Sequence, residues 1–143
     1  VATSSSTFVP FCGTRLNNNI YLMQNILLVE DDPFLSDIYS TKLKASGFNV
    51  EVAPNGDKCL SLVAEKNFNL VLLDIVLPQM DGWEILKKLK EMAKAKFLPV
   101  IILSNLSQKA EVEKGLKLGA VKYLIKAHYT PSEVVDEVKK VLK

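Results

Sequence analysis

Polar residues with chemical potential stand where the apolar runs of this chain stop. Leu70-Val71-Leu72-Leu73 leads straight into Asp74, and Ile26-Leu27-Leu28-Val29 leads into Glu30, Asp31 and Asp32. Val100-Ile101-Ile102-Leu103 reaches Ser104, and the run from Val121 to Ile125 reaches Lys126. A carboxylate is not kept inside an apolar strand without a partner, so the acids belong just past the buried segments. Three carboxylates at close quarters raise one another's pKa unless a cation joins them. An all-oxygen donor set suits a hard divalent ion such as Mg²⁺. A hydroxyl and an ammonium beside it suit the oxygens of a phosphoryl group.

These residues meet only if the elements bring them to one place. Each apolar run reads as a strand buried on both faces. Asp32 is placed to cap a helix with Pro33 at its first position, a helix carrying Leu35, Ile38, Tyr39 and Leu43 and stopped by Gly47. Val50 to Ala53 alternates as a short strand, Asn55-Gly56 turns the chain, and a helix through Leu60 and Val63 follows. Pro78, Asp81 and Gly82 break the pattern after Asp74. Asp81 and Glu84 then have capping-box spacing ahead of the stripe Ile85, Leu86, Leu89, Met92. A lysine-rich helix is expected from about Ser107 to Leu118. Thr130-Pro131-Ser132-Glu133 is a full capping box for a last helix with Val134, Val135, Val138, Val141 and Leu142 on its core face. Five strand–helix repeats with short connections predict an α/β fold: a five-stranded parallel sheet with right-handed crossovers and helices on both faces. In such a sheet the residues named above share the carboxyl edge, where ligands bind.

The totals fit one domain. A chain of 143 residues, 48% apolar and 24% charged, has room for one proper core. A net charge of +2 argues for neither nucleic acid nor membrane, and no apolar run approaches a bilayer span. Two cysteines, Cys12 and Cys59, give no disulfide framework and point to a reducing, cytoplasmic compartment. A single histidine, His128, rules against a histidine metal site and reads as a solvent-facing loop residue. Residues 1–22 are small and polar, without a secretory pattern, and are expected to form a disordered or loosely docked N-terminal extension. Met23 is a candidate natural start, so the folded domain is placed at 23–143, with no second domain expected after Lys143.

Four segments together carry a resemblance: Val29-Glu30-Asp31-Asp32-Pro33, Leu73-Asp74 with Leu77-Pro78-Gln79-Met80-Asp81-Gly82, Leu103-Ser104, and Tyr123-Leu124-Ile125-Lys126. In this order, each at a strand end, they resemble the receiver domain of two-component response regulators over about Met23 to Lys143. The resemblance implies a flavodoxin-like (βα)5 fold with strand order 2-1-3-4-5. It implies that Asp74 accepts a phosphoryl group from a phosphohistidine. It makes Asp31 a direct metal ligand, Glu30 a neighbour acting through water and the Val76 carbonyl a third contact to Mg²⁺ or Mn²⁺. Ser104 and Lys126 would bind the phosphoryl oxygens, and Tyr123 would be the switch aromatic, its alternative being a half-buried core residue. Val76 and Leu106 would stand where side chains place the water that hydrolyses the acyl phosphate. One departure is plain: the family usually has proline, often cis, after this lysine, and here Ala127 follows. A non-proline cis bond costs about 3–4 kcal/mol, so the loop is expected to be trans or strained.

The implied function is a stand-alone, phosphorylation-controlled switch of a two-component phosphorelay, not a dedicated enzyme. Its partners would be a sensor histidine kinase or phosphotransfer protein and a downstream protein on the face of the fourth helix, fifth strand and fifth helix. Neither nucleic-acid binding nor membrane insertion is expected, and the protein would be a monomer or a phosphorylation-dependent dimer. Three rivals stand beside it. A degenerate receiver that binds a partner without phosphorylation has Ala127 as its support. A phosphatase of the haloacid dehalogenase type needs a second acid two residues after the nucleophile, where Val76 stands. A nucleotide-binding Rossmann protein needs a glycine-rich loop after the first strand, and there is none.

Overall fold

The computed structural model describes residues 23–143. The extension expected over residues 1–22, with Cys12, lies outside the described residues. Five strands, β1 (Asn25–Val29), β2 (Asn49–Ala53), β3 (Leu70–Leu73), β4 (Val100–Ser104) and β5 (Lys122–Ile125), alternate with five α-helices. These are α1 (Pro33–Ala45), α2 (Gly56–Glu65), α3 (Gly82–Glu91), α4 (Lys109–Lys117) and α5 (Pro131–Leu142). The strands are all parallel in the order β2-β1-β3-β4-β5. Chain order reverses between β1 and β3, so Glu30 and Asp74 follow neighbouring strands whose ends are in register, Val29 opposite Leu73.

Successive strand residues point to opposite faces, and both faces are covered. Leu27, Val29, Val71, Leu73, Val100 and Ile102 pack with Cys59, Leu62 and Val63 of α2 and Ile85, Leu86 and Leu89 of α3. Ile26, Leu28, Leu70, Leu72, Ile101 and Leu103 pack with Tyr39 and Leu43 of α1 and Val134, Val135 and Val138 of α5. Two buried faces are the reason β3 is apolar at every position and β1 and β4 are apolar between their ends. The fourth helix is held differently: Gly115 is the residue of α4 that is buried.

Helix starts follow the capping chemistry, with two differences. Asp32 accepts from the Phe34 and Leu35 amides, and Thr130 and Glu133 exchange both bonds of a capping box. Asp81 accepts from the Glu84 amide, but Glu84 pairs with Lys88 one turn on, so only half of that box forms. The lysine-rich helix starts at Lys109 because the Glu111 carboxylate reaches back to the Gln108 amide and fixes Gln108 as the cap. No cis peptide bond occurs among the described residues. Lys126–His128 forms one 3₁₀ turn, so the loop that lacks proline is trans.

Candidate functional site

The buried edge of the sheet ends in polar groups that partner one another. Glu30 is 3% exposed, Asp74 7% and Ser104 0%, burial at which an unpaired carboxylate would be costly. Lys126 meets that need. Its Nζ donates to Glu30 Oε2 at 2.6 Å and to Asp74 Oδ2 at 3.0 Å. The remaining oxygens are engaged by backbone: the Asp32 amide donates to Glu30 Oε1 and the Val76 amide to Asp74 Oδ1, both at 3.2 Å. Asp31 is exposed, yet one oxygen each from Glu30, Asp31 and Asp74 lie within 4.8 Å of one another. Three ionised carboxylates against one ammonium leave two formal negative charges, and an all-oxygen set of that charge fits a divalent cation.

Burial pushes the Glu30 carboxyl above the ordinary range and the charge of Asp74 adds to this, while the Lys126 and Asp32 hydrogen bonds offset part of it. Burial disfavours the Lys126 ammonium, but its bonds to Glu30 and Asp74 outweigh that and raise its pKa. The ion pair is thus held together against the cost of drying it.

The loop between Asp74 and α3 has no slack. The Gly82 amide donates to the Ile75 carbonyl at 2.8 Å. A Cβ at Gly82 would lie 2.5 Å from the Asp74 carbonyl oxygen and from Ile75 Cα, so only glycine fits against this backbone. Gln79 takes a left-handed conformation, φ 68°, within the same tight turn. The start of α3 is therefore fixed to Asp74. Val76 projects outward, 61% exposed.

Ser104 ends β4 and Lys126 follows β5, with Ser104 opposite Ile125 in register. Ser104 Oγ accepts from the Leu106 amide at 3.2 Å. Tyr123 is half-buried and its hydroxyl donates to the Leu106 carbonyl at 2.6 Å, tying β5 to the loop after Ser104. Burial raises the Tyr123 phenol pKa, which keeps it a donor. All seven residues singled out in the sequence, Glu30, Asp31, Asp74, Val76, Ser104, Tyr123 and Lys126, stand at or beside this edge. Sequence reasoning missed the acceptor of Tyr123 and the weight on Gly82 and Gly115. A glycine inside a helical stretch, as at 115, is the signal that could have found the last. A cleft of about 640 Å³ between Asn25, Phe48, Asn49 and Phe68 lies at the opposite end of the strands, away from this chemistry.

Known proteins match this arrangement. Residues 26–139 match the family of response regulator receiver domains. The chain is 36% identical over 118 residues to a protein of Porphyra purpurea named probable transcriptional regulator ycf29, covering 82% of this chain and 56% of that protein. It is 31% identical over 121 residues to the DNA-binding dual master transcriptional regulator RpaA of Synechocystis sp., covering 85% and 50%. The chain thus spans about half the length of these curated relatives. Among solved structures, chemotaxis protein CheY4 of Vibrio cholerae superimposes with a TM-score of 0.78 at 25% identity, over 83% of this chain and 98% of that one.

Proposed function

The chain belongs to the receiver domain family of two-component response regulators, and from that premise we propose that Asp74 is its phosphoacceptor, charged by a histidine kinase or phosphotransfer protein. The observation that carries this reading is the convergence of Lys126 on Asp74 and Glu30 at a buried sheet edge. An Asp74 carboxylate oxygen attacks phosphorus in line. The bond from phosphorus to the donor imidazole breaks, and the imidazole leaves with the electron pair. Lys126, already beside Asp74, pairs with an oxygen of the arriving group. Ser104, whose Oγ accepts from the Leu106 amide, would turn its O–H to donate to another. Held by Glu30, Asp31, Asp74 and the Val76 carbonyl, Mg²⁺ or Mn²⁺ would supply neutralisation of the charge on the transferring group.

Tyr123 reads the result: its bond to Leu106 ties it to the loop that Ser104 moves, so a shift of that loop alters the face of α4, β5 and α5 where a downstream protein docks. That reader is a protein in the cytoplasm, and the domain itself makes no contact with nucleic acid. Phosphorylation is favoured over the degenerate-receiver alternative because Lys126, on the 3₁₀ turn Lys126–His128, reaches Asp74 although Ala127 stands in place of proline. The test is intact-mass and peptide mapping after incubation with acetyl phosphate and Mg²⁺. One phosphoryl group should appear on Asp74 and be absent from Asp74→Asn; labelling elsewhere, or none, overturns the assignment.

A further inference from the structure

Two consecutive residues of α4 face two different parts of the site. The Lys114 ammonium lies 4.6 Å from the centroid of the Trp83 ring. Trp83 directly follows Gly82, the residue pressed against the Asp74 and Ile75 backbone. Lys114 therefore links α4 to the end of the acceptor loop. Its neighbour Gly115 looks the other way. A Cβ there would come within 2.6 Å of Ile102 Cδ1 and 2.9 Å of Tyr123 Cδ2. The Tyr123 ring occupies the room that a side chain at 115 would need.

This junction matters because little else holds the helix. Gly115 is the residue of α4 that is buried, while Leu116 on the same helix is 47% exposed. A helix with so small a buried surface belongs to the low-stability end of a fold. Glycine also weakens a helix interior relative to alanine, so its presence in the second turn runs against local propensity. Room for Tyr123 is the physical reason it stands there.

We propose that Lys114 and Gly115 are the positioning residues that set where α4 rests: Lys114 clasps Trp83 and so ties the helix to the acceptor loop, and Gly115 leaves the seat that Tyr123 fills. The inference rests on the reading of Tyr123 as the switch and names what regulates it. A shift of the acceptor loop reaches α4 through Trp83 and Lys114, and a shift of Tyr123 reaches the same turn through Gly115. Both inputs bias one element.

The experiment uses the full chain, whose one tryptophan is Trp83. Amide exchange across residues 109–117 and Trp83 emission are followed with and without acetyl phosphate and Mg²⁺, and Asp74 labelling is measured by mass. Lys114→Met keeps the stem and removes the cation. It should speed α4 exchange in the unphosphorylated protein by about two- to fivefold and shrink the emission change on phosphorylation. Lys114→Arg should restore both, and Asp74 labelling should stay within about twofold of wild type in each. Gly115→Ala should speed exchange despite its better helix propensity, and Gly115→Ala with Tyr123→Ala should recover it by returning the space. Wild-type exchange and emission in Lys114→Met overturn the clasp; a double variant no better than Gly115→Ala overturns the seat. Failure of Asp74 to label speaks against the phosphoacceptor assignment alone, since the exchange measurements are made on unphosphorylated protein as well.

Discussion

The two ends of the same strands are finished in opposite ways. Past the carboxyl ends of β1 and β3 stand buried carboxylates joined by one ammonium. At the amino ends, four asparagines close the sheet with neutral amides. The Asn25 amide donates to Asn69 Oδ1 at 2.8 Å, Asn25 Nδ2 to the Asn67 carbonyl at 3.3 Å, and Asn49 Nδ2 to Asn25 Oδ1 at 3.1 Å. Both ends satisfy their polar groups, so hydrogen bonding alone does not require charge. Buried ion pairs contribute little net stability compared with what breaking one costs. Closure of the sheet therefore accounts for the amide end but not for the charge at the other.

The largest expected effect comes from removing Lys126, the cation that joins Glu30 and Asp74 at the charged end. Lys126→Met leaves Glu30 and Asp74 buried and unpaired and should destabilise the protein by about 3 kcal/mol in urea titrations. Lys66→Met near the amide end removes a half-exposed partner of Glu51 and should cost under about 1 kcal/mol. Equal losses would erase the distinction between the ends.

The rim of the charged end is apolar at Val76 and Leu106, and neither side chain can orient a water. Val76→Asn with Leu106→Glu should speed phosphate loss from labelled protein about tenfold, worth about 1.4 kcal/mol of barrier. An unchanged half-life at fixed Mg²⁺ would mean that water placement by these side chains is not limiting.

At the neutral end, Asn25→Ala deletes two side-chain hydrogen bonds that are partly open to water. The expected loss is about 1 kcal/mol, with Asp74 labelling unaltered. Reduced labelling would show the two ends to be coupled.

Asp31→Asn removes one like charge from an unbalanced cluster. It should stabilise the metal-free protein by about 0.5 kcal/mol while abolishing the response of Trp83 emission to Mg²⁺. A variant that titrates with Mg²⁺ like wild type would remove Asp31 from the metal site.

The smallest effect tests an ordinary surface pair. Hydrogen bonds from Lys122 and Lys140 hold the Glu137 carboxyl below its usual 4.5. Its folded pKa lies below its unfolded one, so the stability it adds is present above pH 4.5 and lost as pH falls through the folded pKa. Glu137→Gln should cost a few tenths of a kcal/mol at neutral pH and nothing in strong acid. A difference that grows on acidification would invert the assignment.

The sequence marks the charged end more clearly than the neutral one, for a physical reason. An acid after an apolar run stands out because the run cannot hold it, and so Glu30 and Asp74 are visible from local contrast. Asn67 and Asn69 show only as a polar lead into β3, because their partner, Asn25, comes from another strand and is itself held by Asn49 of a third. The repeats and parallel sheet follow from periodicity and connection length, whereas the strand order came with the family resemblance. The Tyr123–Leu106 bond and the Gly115 seat exist only through space, and spacing along the chain carries no trace of them.

The bond from Lys126 to Glu30 joins positions 96 residues apart. Glu30 and Asp74 leave the ribosome long before Lys126, the cation that pairs with both. N-terminal segments emerge first and begin to fold as they do, so a chain stopped anywhere before Lys126 carries its acids without their counter-charge. Such a fragment can pair β1 with β3 but holds an edge that repels itself. The charged edge is thus the last part of the fold to be completed: a chain cut before Lys126 lacks the group that pairs Glu30 with Asp74.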